Sequence, residues 1–124
     1  MFKRITLHLA RCKEFPEGSA RHGYEIVAPL DAGGHLDAAA WKEERARCHV
    51  RRFWGDDTEE GFLAHRRGGD GGATWRIDYD LNSTDDDEEG WRLGTHTFNL
   101  GDYVSIRDAD GDLRTFQVTA VKAA

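Results

Sequence analysis

The alternation of apolar and polar residues along most of the chain is the strongest constraint on its fold. Near the N-terminus, Ile5, Leu7 and Leu9 are separated by polar residues, and a similar alternation runs from Tyr24 to Leu30. Successive side chains of a β-strand point to opposite faces, so a period of two predicts strands with one buried face. The same pattern, interrupted by glycine-rich or acidic turns, predicts further strands over residues 48–54, 61–67, 73–81, 92–98, 102–108 and 113–121.

The regular, short spacing of these strands predicts the fold class. It indicates a mainly β protein, a small antiparallel β-barrel or β-roll of about eight strands. The sequence has no long βαβ crossovers, which argues against a parallel sheet. A chain of 124 residues with 39% hydrophobic content has the size and the apolar material for one core. We therefore expect a single domain over residues 1–124.

One segment departs from the period of two and predicts a short α-helix at about 37–46. Asp37 suits the N-cap position, because its carboxylate can accept a backbone N–H of the first turn. Glu43 and Arg47 have the spacing of an i,i+4 ion pair. A helix of this length is marginal on its own, so we expect it to pack on the sheet through Trp41.

The last hairpin has a register that follows from its apolar residues. A three-residue loop at 109–111 places Val104 opposite Phe116, whereas a two-residue loop would put apolar residues opposite polar ones. The longer loop also places Gly111 where the left-handed backbone conformation favours glycine. Gln117 is then expected to point away from the core.

The middle hairpin brings a histidine and two other aromatic residues to one face of the sheet. A glycine-rich loop at 68–72 places His65 opposite Trp75, and Tyr79 follows on the same face. Inside a barrel, an imidazole, an indole and a phenol would form a ligand cavity with polar groups in its wall. The alternative is a filled core in which the histidine hydrogen-bonds to a backbone carbonyl or a buried water. His65, Trp75 and Tyr79 are the predicted ligand-binding residues.

Acidic residues are expected at the surface. Asp78 and Asp80 alternate with the apolar side chains of their strand and are predicted to face solvent. The segment 82–89 has no apolar residue and ends in five adjacent acids. Such a segment cannot offset its ordering entropy by burial, which predicts a mobile surface loop.

The overall charge argues against nucleic acid as a partner. The net charge is −6, whereas binding to phosphate backbones needs clustered Lys and Arg and a basic balance. Residues 45–54 nevertheless combine four arginines with two aromatic residues. This segment carries the least favoured functional hypothesis, nucleic-acid binding.

No motif brings together the residues that catalysis or metal binding needs. The six histidines and two cysteines lack the short spacings of a local metal site, which leaves only a site assembled from distant strands. The segment 108–112 is similar to a calcium loop, but its glycine comes fourth rather than sixth, which indicates a hairpin turn. No Gly-x-Ser-x-Gly motif is present. We predict no catalytic residue, no metal and no cofactor.

The sequence thus favours a non-enzymatic binding or protein-interaction module with a protein or small-molecule partner. The second hypothesis is a small-ligand-binding barrel or an enzyme that uses the cavity around His65. No apolar run approaches the roughly twenty residues of a membrane span. Two cysteines fit a reducing compartment, although a bridge between Cys12 and Cys48 is geometrically possible. We expect a soluble, cytoplasmic protein with no membrane partner.

Overall fold

The computed structural model of the protein describes residues 1–65, 75–79, 88–89, 96–107 and 111–124. Within these ranges, eight strands close into a barrel in chain order, each antiparallel to its neighbours. The strands are β1 (Phe2–Leu9), β2 (Ser19–Pro29), β3 (His49–Trp54), β4 (Asp57–His65), β5 (Trp75–Asp78), β6 (Glu88–Glu89), β7 (Tyr103–Arg107) and β8 (Leu113–Ala123). The predicted mainly β fold is confirmed.

The inward-facing residues of the strands fill the barrel. Ile5 lies opposite Ile26 on one side and Val121 on the other, and Leu7 continues the same row two residues later. Each buried side chain of this kind stabilises the fold by about 1.5–3 kcal/mol relative to exposure. The interior is therefore a packed core, and its hydrophobic strand residues, each at most 2% exposed, are Ile5, Leu7, Tyr24, Ile26, Ala28, Val50, Leu63, Ile77, Val104, Ile106, Phe116 and Val118.

The last hairpin has the predicted register. Val104 pairs with Phe116, and both side chains are buried. Gly111 has a φ of +90°, as expected for a glycine in the left-handed region. Of the predicted loop at 109–111, residues 109 and 110 lie outside the described ranges.

A short helix, α1 (Ala38–Glu44), connects β2 to β3 and continues as a 3-10 turn over Arg45–Arg47. It begins as predicted, because the Asp37 carboxylate accepts the Ala40 N–H at 3.1 Å. Trp41 is the one buried residue of the helix and anchors it to the barrel. No helix in the described part of the chain is long and apolar enough to cross a membrane.

The prediction of an ion pair between Glu43 and Arg47 is wrong. Arg47 contacts the Glu44 carboxylate instead, at 3.1 Å. The chain tightens into the 3-10 turn after Glu44, and side chains three residues apart align in that geometry.

The helix lies at the end of the barrel where β2 ends and β3 begins. This end of the barrel is called the helix end. A bridge between Leu30 and Leu36 precedes the helix, and both residues belong to the core. The buried Phe98 packs into the same core, and its N–H donates to the Gly34 carbonyl at 2.8 Å. The other end, where β1 ends and β2 begins, is called the distal end.

Two predictions for the acidic and following segments need correction. Glu88 and Glu89 form β6, which pairs with β5 and β7, so the predicted mobile loop is wrong at these two residues. Their backbone closes the barrel, and backbone pairing does not require apolar side chains. Residues 82–87 lie outside the described ranges.

The strand predicted at 92–98 is described only in part, because residues 92–95 lie outside the described ranges. Residues 96–98 are irregular rather than a strand, because the Phe98 N–H bonds to the loop at the helix end.

Candidate functional site: a pocket beside the helix

The predicted partners His65 and Trp75 face each other across β4 and β5. They are register partners, and their ring centroids lie 4.5 Å apart. The Trp41 ring of α1 completes the cluster, with its centroid 5.9 Å from each of the other two and its plane steeply inclined to both. Edge-to-face aromatic contacts of this kind contribute about 0.5–1.5 kcal/mol each beyond burial. The cluster fixes the helix against the sheet.

Tyr79 lies away from this cluster. It packs against Gly61, where an added Cβ would come within 3.0 Å of the tyrosine ring. Gly61 precedes His65 by four residues on β4, which corresponds to roughly 13 Å along a strand. The structure therefore brings His65 and Trp75 together, whereas Tyr79 lies farther along the same hairpin, away from both.

A pocket of about 510 Å³ opens between the end of α1 and strands β4 and β5. This volume is within the range of small-molecule sites. Trp41 is fixed in the pocket wall, because its Nε1–H donates to the Leu63 carbonyl at 2.8 Å in a buried position. The described residues that line it are Trp41, Arg45, Ala46, Phe62, Leu63, Ala64, His65 and Asp78.

Asp78 is buried, contrary to the prediction that it faces solvent. Its side chain is 3% exposed, and it is the one buried charged residue among those that the structure describes. Its register partner is Phe62, so it does lie on the face opposite Ile77, as the alternation predicts. Alternation gives the face on which a side chain lies but not what covers that face, and the end of the helix, with Arg45 and Ala46, borders the same pocket as Asp78.

Among the described residues, three that carry polar side chains therefore line the pocket: Arg45, His65 and Asp78. Sequence reasoning identified only the histidine. The sequence gives only a weak indication that Asp78 is buried, namely that it directly follows the apolar residues of a short buried strand. Arg45 and the role of Trp41 as a pocket wall depend on where the helix lies, which the alternation does not encode.

The cysteines are free and lie at opposite ends of the barrel, Cys12 after β1 and Cys48 before β3. Burial raises the pKa of the Cys48 thiol to about 11. At neutral pH Cys48 is thus a thiol rather than the thiolate that acts as a nucleophile. In the ranges that the structure describes, no three His, Cys, Asp or Glu side chains are grouped to hold a metal ion.

In the native protein, iodoacetamide is expected to alkylate Cys12 at least tenfold faster than Cys48. At pH 8 only roughly one Cys48 in a thousand would be a thiolate, and its side chain is inaccessible, whereas Cys12 is half-buried. Mass spectrometry of peptides after timed labelling measures both rates, and labelling in denaturant is the control in which both cysteines react. Equal native rates would contradict the buried position of Cys48.

The basic segment at 45–54 does not form one surface. Along β3, Arg51 and Arg52 point to opposite faces, as alternation requires. Arg51 lies 3.5 Å from the Glu25 carboxylate, and Arg47 stacks on the Phe2 ring at 4.1 Å. The arginines are thus dispersed among separate contacts rather than aligned for a phosphate backbone.

Comparison with known proteins gives no match: no family model, no curated protein and no solved structure is similar to this chain. What bears on its function is the chemistry of its own side chains.

Proposed function

We propose that the protein is a non-enzymatic binding module whose pocket beside α1 holds a small planar molecule with a positively charged or hydrogen-bond-donating group. The observation that carries this proposal is the buried Asp78 carboxylate in a pocket with aromatic walls. Aromatic faces favour planar groups and cations. Asp78 interacts within the fold, and a carboxylate can accept about four hydrogen bonds in all, so one carboxylate can serve the fold and a ligand donor together.

The charges that line the pocket favour a cationic ligand over an anionic one. Arg45 is exposed, so water screens its charge, whereas Asp78 is buried. Two unit charges 4 Å apart interact by about 1 kcal/mol in water and by about 4 kcal/mol at the dielectric typical of a protein site. The aspartate therefore dominates the selection of charge.

Benzamidine, benzamide and benzoate share one ring and differ in charge, so they test this selection. We expect benzamidine to bind with a Kd on the order of 1 mM, about tenfold or more tighter than benzoate at this site. The readout is the two-dimensional NMR resonance of the Trp41 indole N–H, which lies in the pocket wall.

Matched variants localise the binding. Ala46→Trp is expected to fill the pocket and abolish the benzamidine response, because Ala46 lines the pocket from an exposed position. Ala39→Trp, also exposed on the same helix, is the control that leaves binding intact. Asp78→Asn is expected to remove the preference for benzamidine over benzamide, with NMR dispersion as the check on folding. Unchanged binding in Ala46→Trp, or tightest binding of benzoate at Trp41, would contradict the proposal.

A further inference from the structure

The outer surface of the barrel at the distal end carries a groove between β8 and the loop 10–18, which connects β1 to β2. Two cavities, of about 370 Å³ and about 730 Å³, lie side by side there. Leu9, Arg11 and Thr115 line both cavities, so the two form one continuous groove. We call it the distal groove.

Outward-facing side chains of β8 form the floor of the distal groove. Leu113, Thr115 and Gln117 occupy alternate positions of the strand, on the face opposite the buried Phe116. Tyr103 of β7 is the register partner of Gln117 and lines the groove beside it. Leu113 is four residues from Gln117, so Leu113 and Tyr103 lie roughly 13 Å apart along the strand direction.

The loop that forms the wall of the groove is held in place by backbone hydrogen bonds. The Ala10 N–H donates to the Thr115 carbonyl at 3.0 Å, which attaches the start of the loop to β8. The Phe15 carbonyl accepts two N–H groups, from Cys12 at 3.0 Å and from Gly18 at 2.9 Å. The groove is therefore preformed, which reduces the ordering cost of binding.

Three exposed charged residues of the distal groove have no ion-pair partner within the part of the chain that the structure describes: Arg11, Lys13 and Glu17. Arg11 lies where the two cavities meet. Lys13 lines the cavity that contains Leu113, and Glu17 lines the one that contains Tyr103. The unpaired charges thus run from positive at one end of the groove to negative at the other.

The remaining charged residues of the groove have partners within the protein. Glu14 contacts Arg114 at 3.2 Å, and Arg114 and Asp112 also have further interactions in the fold. A binding partner therefore meets the charges of the three unpaired side chains first.

The plain structural interpretation of the groove is solvated surface, because single charged and apolar side chains are normal on the outside of a domain. It does not account for the combination found here. Of the four large hydrophobic residues that are exposed in the described ranges, two line this one groove, Leu113 (47% exposed) and Tyr103 (58% exposed). An unpaired arginine lies between the two cavities that hold them.

We propose that the distal groove docks an extended peptide segment of a partner protein, with an acidic residue against Arg11, an apolar residue on each side of it, and a basic residue toward Glu17. Residues i and i+4 of an extended peptide project to one face roughly 13 Å apart, which matches the separation of Leu113 and Tyr103. The acidic residue at i+2 then faces Arg11, whose guanidinium binds carboxylates through paired, charge-assisted hydrogen bonds. Lys13 and Glu17, at opposite ends, set the direction of the peptide.

Two synthetic heptapeptides with blocked ends test this charge pattern on the full chain. The matched peptide is acetyl-Leu-Ser-Glu-Ser-Leu-Ser-Lys-amide, and its charge-reversed counterpart has the Glu and the Lys exchanged. We expect the matched peptide to bind at least about fivefold tighter at low salt, the size of one or two exposed ion pairs. The readout is the NMR resonance of the Gln117 side-chain amide, which lies in the groove. Equal affinity of the two peptides, or no response at Gln117, would overturn the proposal.

Matched variants localise the peptide. Arg11→Gln, at an exposed position, is expected to weaken the matched peptide about fivefold and to remove most of its advantage over the charge-reversed one. Arg4→Gln, an exposed arginine of β1 beside Glu25, is the control that leaves the affinity unchanged. Thr115→Trp is expected to fill the groove and abolish binding, whereas Thr58→Trp, also at an exposed strand position, keeps it. Unchanged affinity in Arg11→Gln, or binding retained in a folded Thr115→Trp, would contradict the site.

Alkylation of Cys12 gives an independent readout, because Cys12 lines the groove. The matched peptide is expected to slow the reaction of Cys12 with iodoacetamide in proportion to the occupied fraction of the groove. A peptide that binds without protecting Cys12 would occupy another surface, and the proposal would be wrong. The groove does not depend on the function of the pocket beside α1, whose failure would show separately as a missing benzamidine response at Trp41.

Discussion

Replacing Phe116 with alanine is expected to lower the free energy of unfolding by about 3–5 kcal/mol, through lost burial and a residual cavity. The side chain is 1% exposed, lies opposite Val104, and contacts the Tyr24 ring edge-on at a centroid distance of 5.1 Å. It thus joins three strands of the barrel. Urea unfolding followed by tryptophan fluorescence measures the change, with the same m-value expected for both proteins.

Two variants of the same hairpin give the matched comparison. Gln117→Ala removes an outward-pointing, half-buried side chain and is expected to cost less than about 1 kcal/mol. Gly111→Val places a β-branched residue at a φ of +90°. Its cost is expected at about 1–3 kcal/mol and comes from backbone strain, because among the described residues, chain neighbours aside, no atom lies within 4 Å of the added Cβ. A loss for Gln117→Ala as large as that for Phe116→Ala would mean that the register is shifted by one residue.

The registers of two hairpins were predictable because they depend on local information. The parity of apolar residues and the position of glycine determine which residues face each other across a short connection. That reasoning placed Val104 opposite Phe116 and His65 opposite Trp75, and both pairs are confirmed. The Asp37 cap of α1 was predictable for the same reason, since its partner lies three residues away.

The pocket beside α1 was not predictable, because it depends on contacts between distant segments. Alternation indicates the face on which a side chain lies, but not what covers that face. Asp78 was assigned to the correct face and is buried nevertheless, beside a helix end more than thirty residues earlier in the chain. The strand at Glu88–Glu89 was missed because backbone pairing alone closes the barrel there.

The arginines of β3 and β8 show the same limit for charge patterns. Read linearly, residues 45–54 form one basic patch. The structure divides this segment, because Arg51 and Arg52 point to opposite faces of β3. It then places Arg52 beside Arg114, a residue of the last strand, through barrel closure. Charge clusters inside a barrel therefore follow from register and closure rather than from neighbours in sequence.

Replacing Trp41 with alanine is expected to cost about 3–5 kcal/mol as well, and to detach the helix locally. Trp41 is the one buried residue of α1, and its ring contacts those of His65 and Trp75. Seven helical residues without this anchor are too few to remain folded in water. Hydrogen exchange of the α1 amides is therefore expected to accelerate more than that of the β1 amides.

Trp41→Phe separates the packing of the indole from its hydrogen bond. A phenyl ring keeps most of the apolar contact but leaves the buried Leu63 carbonyl without the donor that lies 2.8 Å away in the native protein. The expected cost is about 1–3 kcal/mol, the penalty for an unsatisfied buried polar group. Lys42→Ala, at an exposed position of the same helix, is the control and is expected to change stability by less than about 0.5 kcal/mol. If Trp41→Phe proved as stable as the native protein, a water molecule would have to replace the indole donor at the Leu63 carbonyl. This wall of the pocket would then be more hydrated than its packing indicates.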